Sequence, residues 1–102
     1  MKEYELYVPL TYNDGSPIDQ KQIERIGERL LEQFGGLTFF PQRNQGFWTM
    51  GGVTFRDEVV IFRVLTEKVR PARAFFRRLK EELKRKLQQE EILIVEKDAT
   101  VL

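Results

Sequence analysis

Cysteine and histidine are both missing from the 102 residues. Their absence removes thiol nucleophiles, disulfides, zinc centres built on thiolate or imidazole, and the commonest general base. A magnesium or calcium ion held by carboxylates stays open, as does acid–base work by Asp, Glu, Lys or Tyr. No apolar run is long enough to span a bilayer, and the start MKEYELYV lacks the apolar stretch and cleavage site of a secretory signal. A cytoplasmic protein without membrane attachment is expected, and a chain without cysteine suits a reducing compartment. Neither sign of charge is in excess: 17 basic and 16 acidic residues leave a formal charge of +1. Binding to nucleic acid or an anionic membrane would therefore need a local patch. The pairs Gly35-Gly36 and Gly51-Gly52 fit neither G-x-x-x-x-G-K-[ST] nor G-x-G-x-x-G, so no phosphate loop and no cofactor is expected.

What is present concentrates between Phe34 and Phe55, FGGLTFFPQRNQGFWTMGGVTF. The stretch holds five of the seven glycines, five of the eight phenylalanines and the only tryptophan. Glycines among large aromatics imply tight turns that fix bulky rings in place. Such a segment either completes a core or walls a cleft.

The remainder reads as strands and helices of a single domain spanning 1–102. EYELYVPL (3–10) alternates with period two and is predicted as a strand. Asn13-Asp14-Gly15-Ser16-Pro17 is a turn cluster. Asp19 with Gln22 forms a capping-box pattern, Ile18 and Ile23 a staple, and Ile23, Ile26, Leu30, Leu31 and Phe34 a helical stripe ended by Gly35-Gly36. LTFFP (37–41) is predicted as a strand stopped by Pro41. GFWTM and VTF make a second, interrupted strand with Gly51-Gly52 as bulge or turn, and Arg56-Asp57-Glu58 a polar connection. VVIFRVLT (59–66) is a strand. A second helix runs from about Val69 to about Gln89, with Ala72, Phe75, Phe76, Leu79, Leu83 and Leu87 as its apolar stripe. EILIVEK (91–97) closes the sheet. The order is β-α-β-β-β-α-β, or β-α-β-β-α-β if 37–55 is one hairpin arm, which is an α+β, ferredoxin-like split βαβ fold with an antiparallel-rich sheet and two helices on one face.

In that architecture the second sheet face should be polar unless something covers it. Here Val59, Ile61 and Leu65 point away from the helices if Val60, Phe62 and Val64 point toward them, and ILIV (92–95) is apolar on both faces. An exposed patch of roughly several hundred Å2 is the upper limit for a soluble monomer. The simplest cover is a second copy, giving a homodimer through Val59, Ile61 and Leu65. The rival cover is the GFWTM–GGVTF segment folding back over the face.

Candidate site residues are Tyr7, Tyr12, Arg43, Trp48 and Arg63. Trp48, beside Phe47, Arg43, Asn44 and Gln45, suits a small organic or acidic ligand, although packing is the commoner use of a lone Trp and at least half-burial is expected. Asp14 as a metal ligand or base competes with the turn that Asn-Asp-Gly favours, and Asp57-Glu58 is its only carboxylate support. The basic second helix could bind RNA, but interleaved Glu67, Glu81, Glu82, Glu90 and Glu91 point to a solvated, ion-paired face, so at most weak RNA binding through 69–89 is expected.

The run LYVPLTYNDGSPI, FGGLTFFPQRNQGFWTMGG, VVIFRV and QQEEILIVE resembles a family of small bacterial domains of unknown function. Its pattern matches at Asn13-Asp14-Gly15, Phe34 to Thr38 and Gly46-Phe47-Trp48. The resemblance implies a ferredoxin-like domain and carries no activity and no catalytic residues. Two functional readings follow from the residues. One is a self-associating α+β module that binds a small ligand or protein near Trp48. The other is a small cofactor-independent enzyme of the dimeric α+β barrel kind, with Tyr7, Tyr12, Trp48 and Arg63 in its pocket, a reading by fold analogy.

Overall fold

Alternation gives strand β1 (Lys2–Pro9) one buried face, Tyr4, Leu6 and Val8, and one partly exposed face, Glu3, Glu5 and Tyr7. A computed structural model describes all 102 residues; after β1 come α1 (Gln20–Phe34), β2 (Thr38–Met50), β3 (Val53–Thr66), α2 (Val69–Lys86) and β4 (Ile94–Asp98). The four strands form one antiparallel sheet in the order β2-β3-β1-β4. Each helix connects two strands that flank a third, and this interleaving is the ferredoxin-like arrangement. The shorter of the two element orders read from the sequence is the one adopted.

Both helices cover the same sheet face. Tyr4, Leu6 and Val8 of β1 and Val60, Phe62 and Val64 of β3 join Ile23, Ile26 and Leu30 of α1 and the whole predicted stripe of α2 in one core of 17 buried apolar residues. Aromatic rings lock the layers: Tyr4 stacks on Phe76 at 4.6 Å and Phe34 on Phe76 at 5.4 Å. Gly27 sits mid-helix, where glycine costs about 1 kcal/mol against alanine. A Cβ there would stand 3.2 Å from the Phe62 ring, so its absence lets α1 approach β3 closely.

Four local expectations are corrected. Asp19 caps α1 by accepting from the Lys21 N–H, but Gln22 turns away to donate to the Tyr12 hydroxyl, so no reciprocal capping box forms. Pro41 does not end its strand; β2 runs on through a register shift between Phe40 and Asn44, where the missing proline N–H falls in an irregular, edge-strand segment. Arg56, Asp57 and Glu58 are interior to β3, since pairing with β2 outweighs their polarity. The last strand begins at Ile94, because Ile92 drops into the core instead of joining the ladder.

Gly51 and Gly52 form the hairpin turn between β2 and β3, at φ 60° and 78°. Two consecutive left-handed residues match the right-handed twist of the flanking strands, and glycine reaches them without a Cβ clash. The hairpin then extends well past the sheet. β1 pairs with β3 only from Val59 to Thr66, whereas residues 53–58 pair only with 45–50 of β2. Six rungs of about 3.3 Å thus make a two-stranded ribbon roughly 20 Å long. The segment does not fold back over the open sheet face, and the self-covering reading is ruled out.

Candidate functional site

The open face is set by register. Val59, Ile61, Arg63 and Leu65 alternate with the buried Val60, Phe62 and Val64, and their partners on β2 and β1 share their side. Following β3 outward, the face carries Leu65, Arg63 against Thr38, Ile61 against Phe40, Val59 against Asn44, Asp57 against Gly46, Phe55 against Trp48 and Val53 against Met50. The apolar members form one patch on the sheet and a second on the ribbon along the same face, separated at the Asp57–Gly46 rung. Leu65 is 40% exposed, and at the far end Met50, Val53 and Phe55 are 52%, 54% and 40% exposed.

Trp48 lies in the ribbon patch and outside the core. Its surface is 43% exposed, its ring stacks on Phe55 at 4.6 Å, and its Nε1–H donates to Asp57 Oδ2 at 2.9 Å. Somewhat more than half of it is covered, as expected, but by its own ribbon. Arg43, in the irregular segment of β2, points a largely exposed guanidinium at Glu58, 3.2 Å away. Tyr12 packs against the core edge and accepts from Gln22. It does not join the ribbon residues.

Tyr7 and Arg63 share the open face on adjacent strands. Beside them is a polar cluster that the sequence reading passed over. Lys97 bridges Glu5 and Glu3, at 2.5 and 3.2 Å, and the Tyr7 hydroxyl donates to Glu5 Oε2 at 3.1 Å. The Lys97 ammonium holds the Glu5 carboxyl below its ordinary range, and burial, with Glu5 next to it, pushes the Tyr7 hydroxyl up. Period-two alternation in EYELYVPL puts Glu5, Tyr7 and Pro9 on one side; Glu3 shares that side, and Lys97 reaches the carboxylates through the β1–β4 register. Arg63 stands opposite Glu5 but forms no ion pair, and its guanidinium lies over the Phe40 ring, 5.6 Å from the centroid.

Of the remaining candidates, Asp14 is occupied structurally and the basic face of α2 in part, since Arg70, Arg77, Arg78 and Arg85 make no ion pair. Asp14 accepts from the Ser16 N–H at 2.9 Å and from its hydroxyl, which holds its carboxyl below the usual range; the turn uses it. On α2, Arg73, Lys80 and Lys86 pair with Glu96, Glu91 and Glu82, and Lys84 lies 3.8 Å from Glu81. No helix is long and apolar enough to cross a membrane.

No protein-family model and no curated protein matches the sequence. The fold is similar to that of a phage SAM lyase in complex with S-methyl-5′-thioadenosine, with a TM-score of 0.67 and 14% identity over 95% of this chain and 80% of that one. At that identity the likeness is one of fold.

Proposed function

We propose that the chain is a self-associating α+β module whose open sheet face and ribbon dock on a second copy, in the simplest case as a homodimer, with the ligand-binding residues around Trp48 at the junction. One observation carries this: the face that runs from Leu65 past the partly buried Ile61 and Phe40 to Trp48, Phe55 and Met50 is left open by the chain's own fold, with Leu65, Trp48, Phe55 and Met50 exposed. A free two-stranded ribbon is at best marginally stable in water, and an apolar one loses most by remaining free. The sizes match. With strands about 4.8 Å apart, β1 and β3 over eight rungs, β4 and the sheet part of β2 over five each, and the ribbon together offer roughly 600 Å2, at the lower end of a standard interface's about 600–1,000 Å2 per partner.

The test is light scattering on the wild type and on Ile61→Lys at micromolar concentration. The wild type should scatter as an oligomer and the variant as a monomer with an unchanged circular dichroism spectrum. A wild type of monomer mass rejects the proposal.

The second reading, a small enzyme without a resident cofactor, is favoured by the fold likeness to a SAM lyase. Tyr7, Arg63 and the paired carboxylates Glu3 and Glu5 would supply its polar groups. Calorimetric titration with S-methyl-5′-thioadenosine, and chromatography of SAM incubated with the protein, decide it. Saturable heat and loss of SAM support the enzyme; neither leaves the module.

A further inference from the structure

The motif Phe34-Gly35-Gly36-Leu37-Thr38 is only partly explained by the fold. Gly35 is the left-handed cap of α1 and its N–H donates to the Leu31 carbonyl at 2.8 Å. Gly36 has no such role. Its φ lies outside the left-handed region, and a Cβ built on it meets nothing within 4 Å. The N–H groups of Gly36 and Leu37 find no acceptor in the chain. These residues wall a hollow of about 300 Å3 together with Phe34, Thr38, Arg63 and Leu65. Arg63 is partly buried there, has no carboxylate partner within 4 Å, and is steadied by the Phe40 ring. An unpaired guanidinium on a packed strand, beside two consecutive free backbone donors and three apolar side chains, is a constellation that lacks its acceptor.

We propose that this hollow binds a small organic anion, a carboxylate or phosphate monoester on an apolar body, with the head held by Arg63 and the free N–H groups of Gly36 and Leu37 and the body against Phe34, Leu37 and Leu65. The carbonyls at the end of α1 oppose negative charge, but that field fades within the last turn, whereas guanidinium–oxyanion bonds are charge-assisted and commonly bidentate. The hollow is built by one chain, so the inference does not rest on self-association; Leu65 and Arg63 also lie at one end of the open face, and there a bound anion and a second copy would compete.

The experiment is a titration of 15N-labelled protein, followed by amide and Arg Nε–H shifts, with benzoate, phenyl phosphate, inorganic phosphate and benzyl alcohol. Benzoate or phenyl phosphate should move the Gly36, Leu37 and Arg63 signals saturably, the tighter one identifying the head group. Benzyl alcohol, with the same ring and no charge, should not. Inorganic phosphate binding as tightly as phenyl phosphate would overturn the role of the apolar body. Arg63→Gln should weaken binding at least about tenfold, the loss of one charge-assisted bond. Arg56→Gln, the same charge change out on the ribbon, should leave it unaltered. Gly36→Ala should keep the wild-type spectrum and stability while weakening binding. No saturable shift with either anion, or an Arg63→Gln protein that binds as the wild type does, overturns the proposal. Mass measured on the same samples keeps this outcome separate from that of self-association.

Discussion

Trp48 and Phe55 face each other across the β2–β3 ladder, their rings 4.6 Å apart and inclined by 21°, on a ribbon where β3 has no neighbour but β2. Two large rings that stack on each other stabilise the hairpin locally, yet Trp48 and Phe55 keep 43% and 40% of their surface in solvent.

Trp48→Ala should therefore cost little folding stability. An aromatic pair contributes about 0.5–1.5 kcal/mol beyond area burial, so urea denaturation should show a loss of at least that size but below that of emptying a fully buried site. Leu79→Ala, at a fully buried position of α2, should cost about 2–5 kcal/mol. Equal losses for the two would place Trp48 in a core.

The hairpin turn should be intolerant where the motif glycine is not. Gly51→Ala and Gly52→Ala force a Cβ into φ 60° and 78° and should each cost about 1 kcal/mol. Thermal denaturation checks this, with Gly36→Ala as the neutral comparison.

Alkali should weaken the fold through Tyr4. Burial first, and then the Glu96 carboxylate accepting its hydroxyl, push its pKa up to about 12 from 10.0. A raised folded value favours the protonated form, so its contribution is whole below pH 10 and is lost as pH rises through about 12. Denaturation midpoints should fall over that window, and Tyr4→Phe should flatten the fall. At the acid end the signs reverse. Glu82, bonded to Lys86 and Arg29, and Glu96, bonded to Arg73, have lowered pKa values. Their contribution is present above the ordinary carboxylate range and disappears as pH falls through the lowered values.

Much of the fold was legible because it rests on period. Tyr4, Leu6 and Val8 at spacing two, and Ala72 to Leu87 at helical spacing, give each element a single buried face, and all nine are in the core. The orientation of Val59, Ile61 and Leu65 followed from the same alternation. Boundaries were less legible. Pro41 and Arg56-Asp57-Glu58 look like strand breakers, but a long hairpin supplies cross-strand partners that local propensity does not include. The site was hardest to read. Tyr7 and Arg63 were brought to one face, but Tyr12 and Arg43 were not joined to them, and the Lys97 bridge and the free N–H groups of Gly36 and Leu37 depend on contacts between distant residues. Spacing along α2 suggests the i, i+4 pairs Arg77/Glu81, Arg78/Glu82, Glu81/Arg85, Glu82/Lys86 and Lys86/Glu90; Glu82–Lys86 alone of these forms, with Glu82 shared with Arg29 of α1, while Arg73 and Lys80 reach off the helix. Tertiary geometry decides which partner a long side chain meets.

Self-association is tested most directly by sedimentation equilibrium of the wild-type chain across a concentration series. The monomer mass is 12.1 kDa. The expected result is a mass at least twice that value at micromolar concentration, falling to it on dilution or in Phe55→Lys, where a charge enters the ribbon patch beside Trp48. A mass that stays at 12.1 kDa at every concentration, with Leu65, Trp48 and Phe55 exposed throughout, would contradict the account.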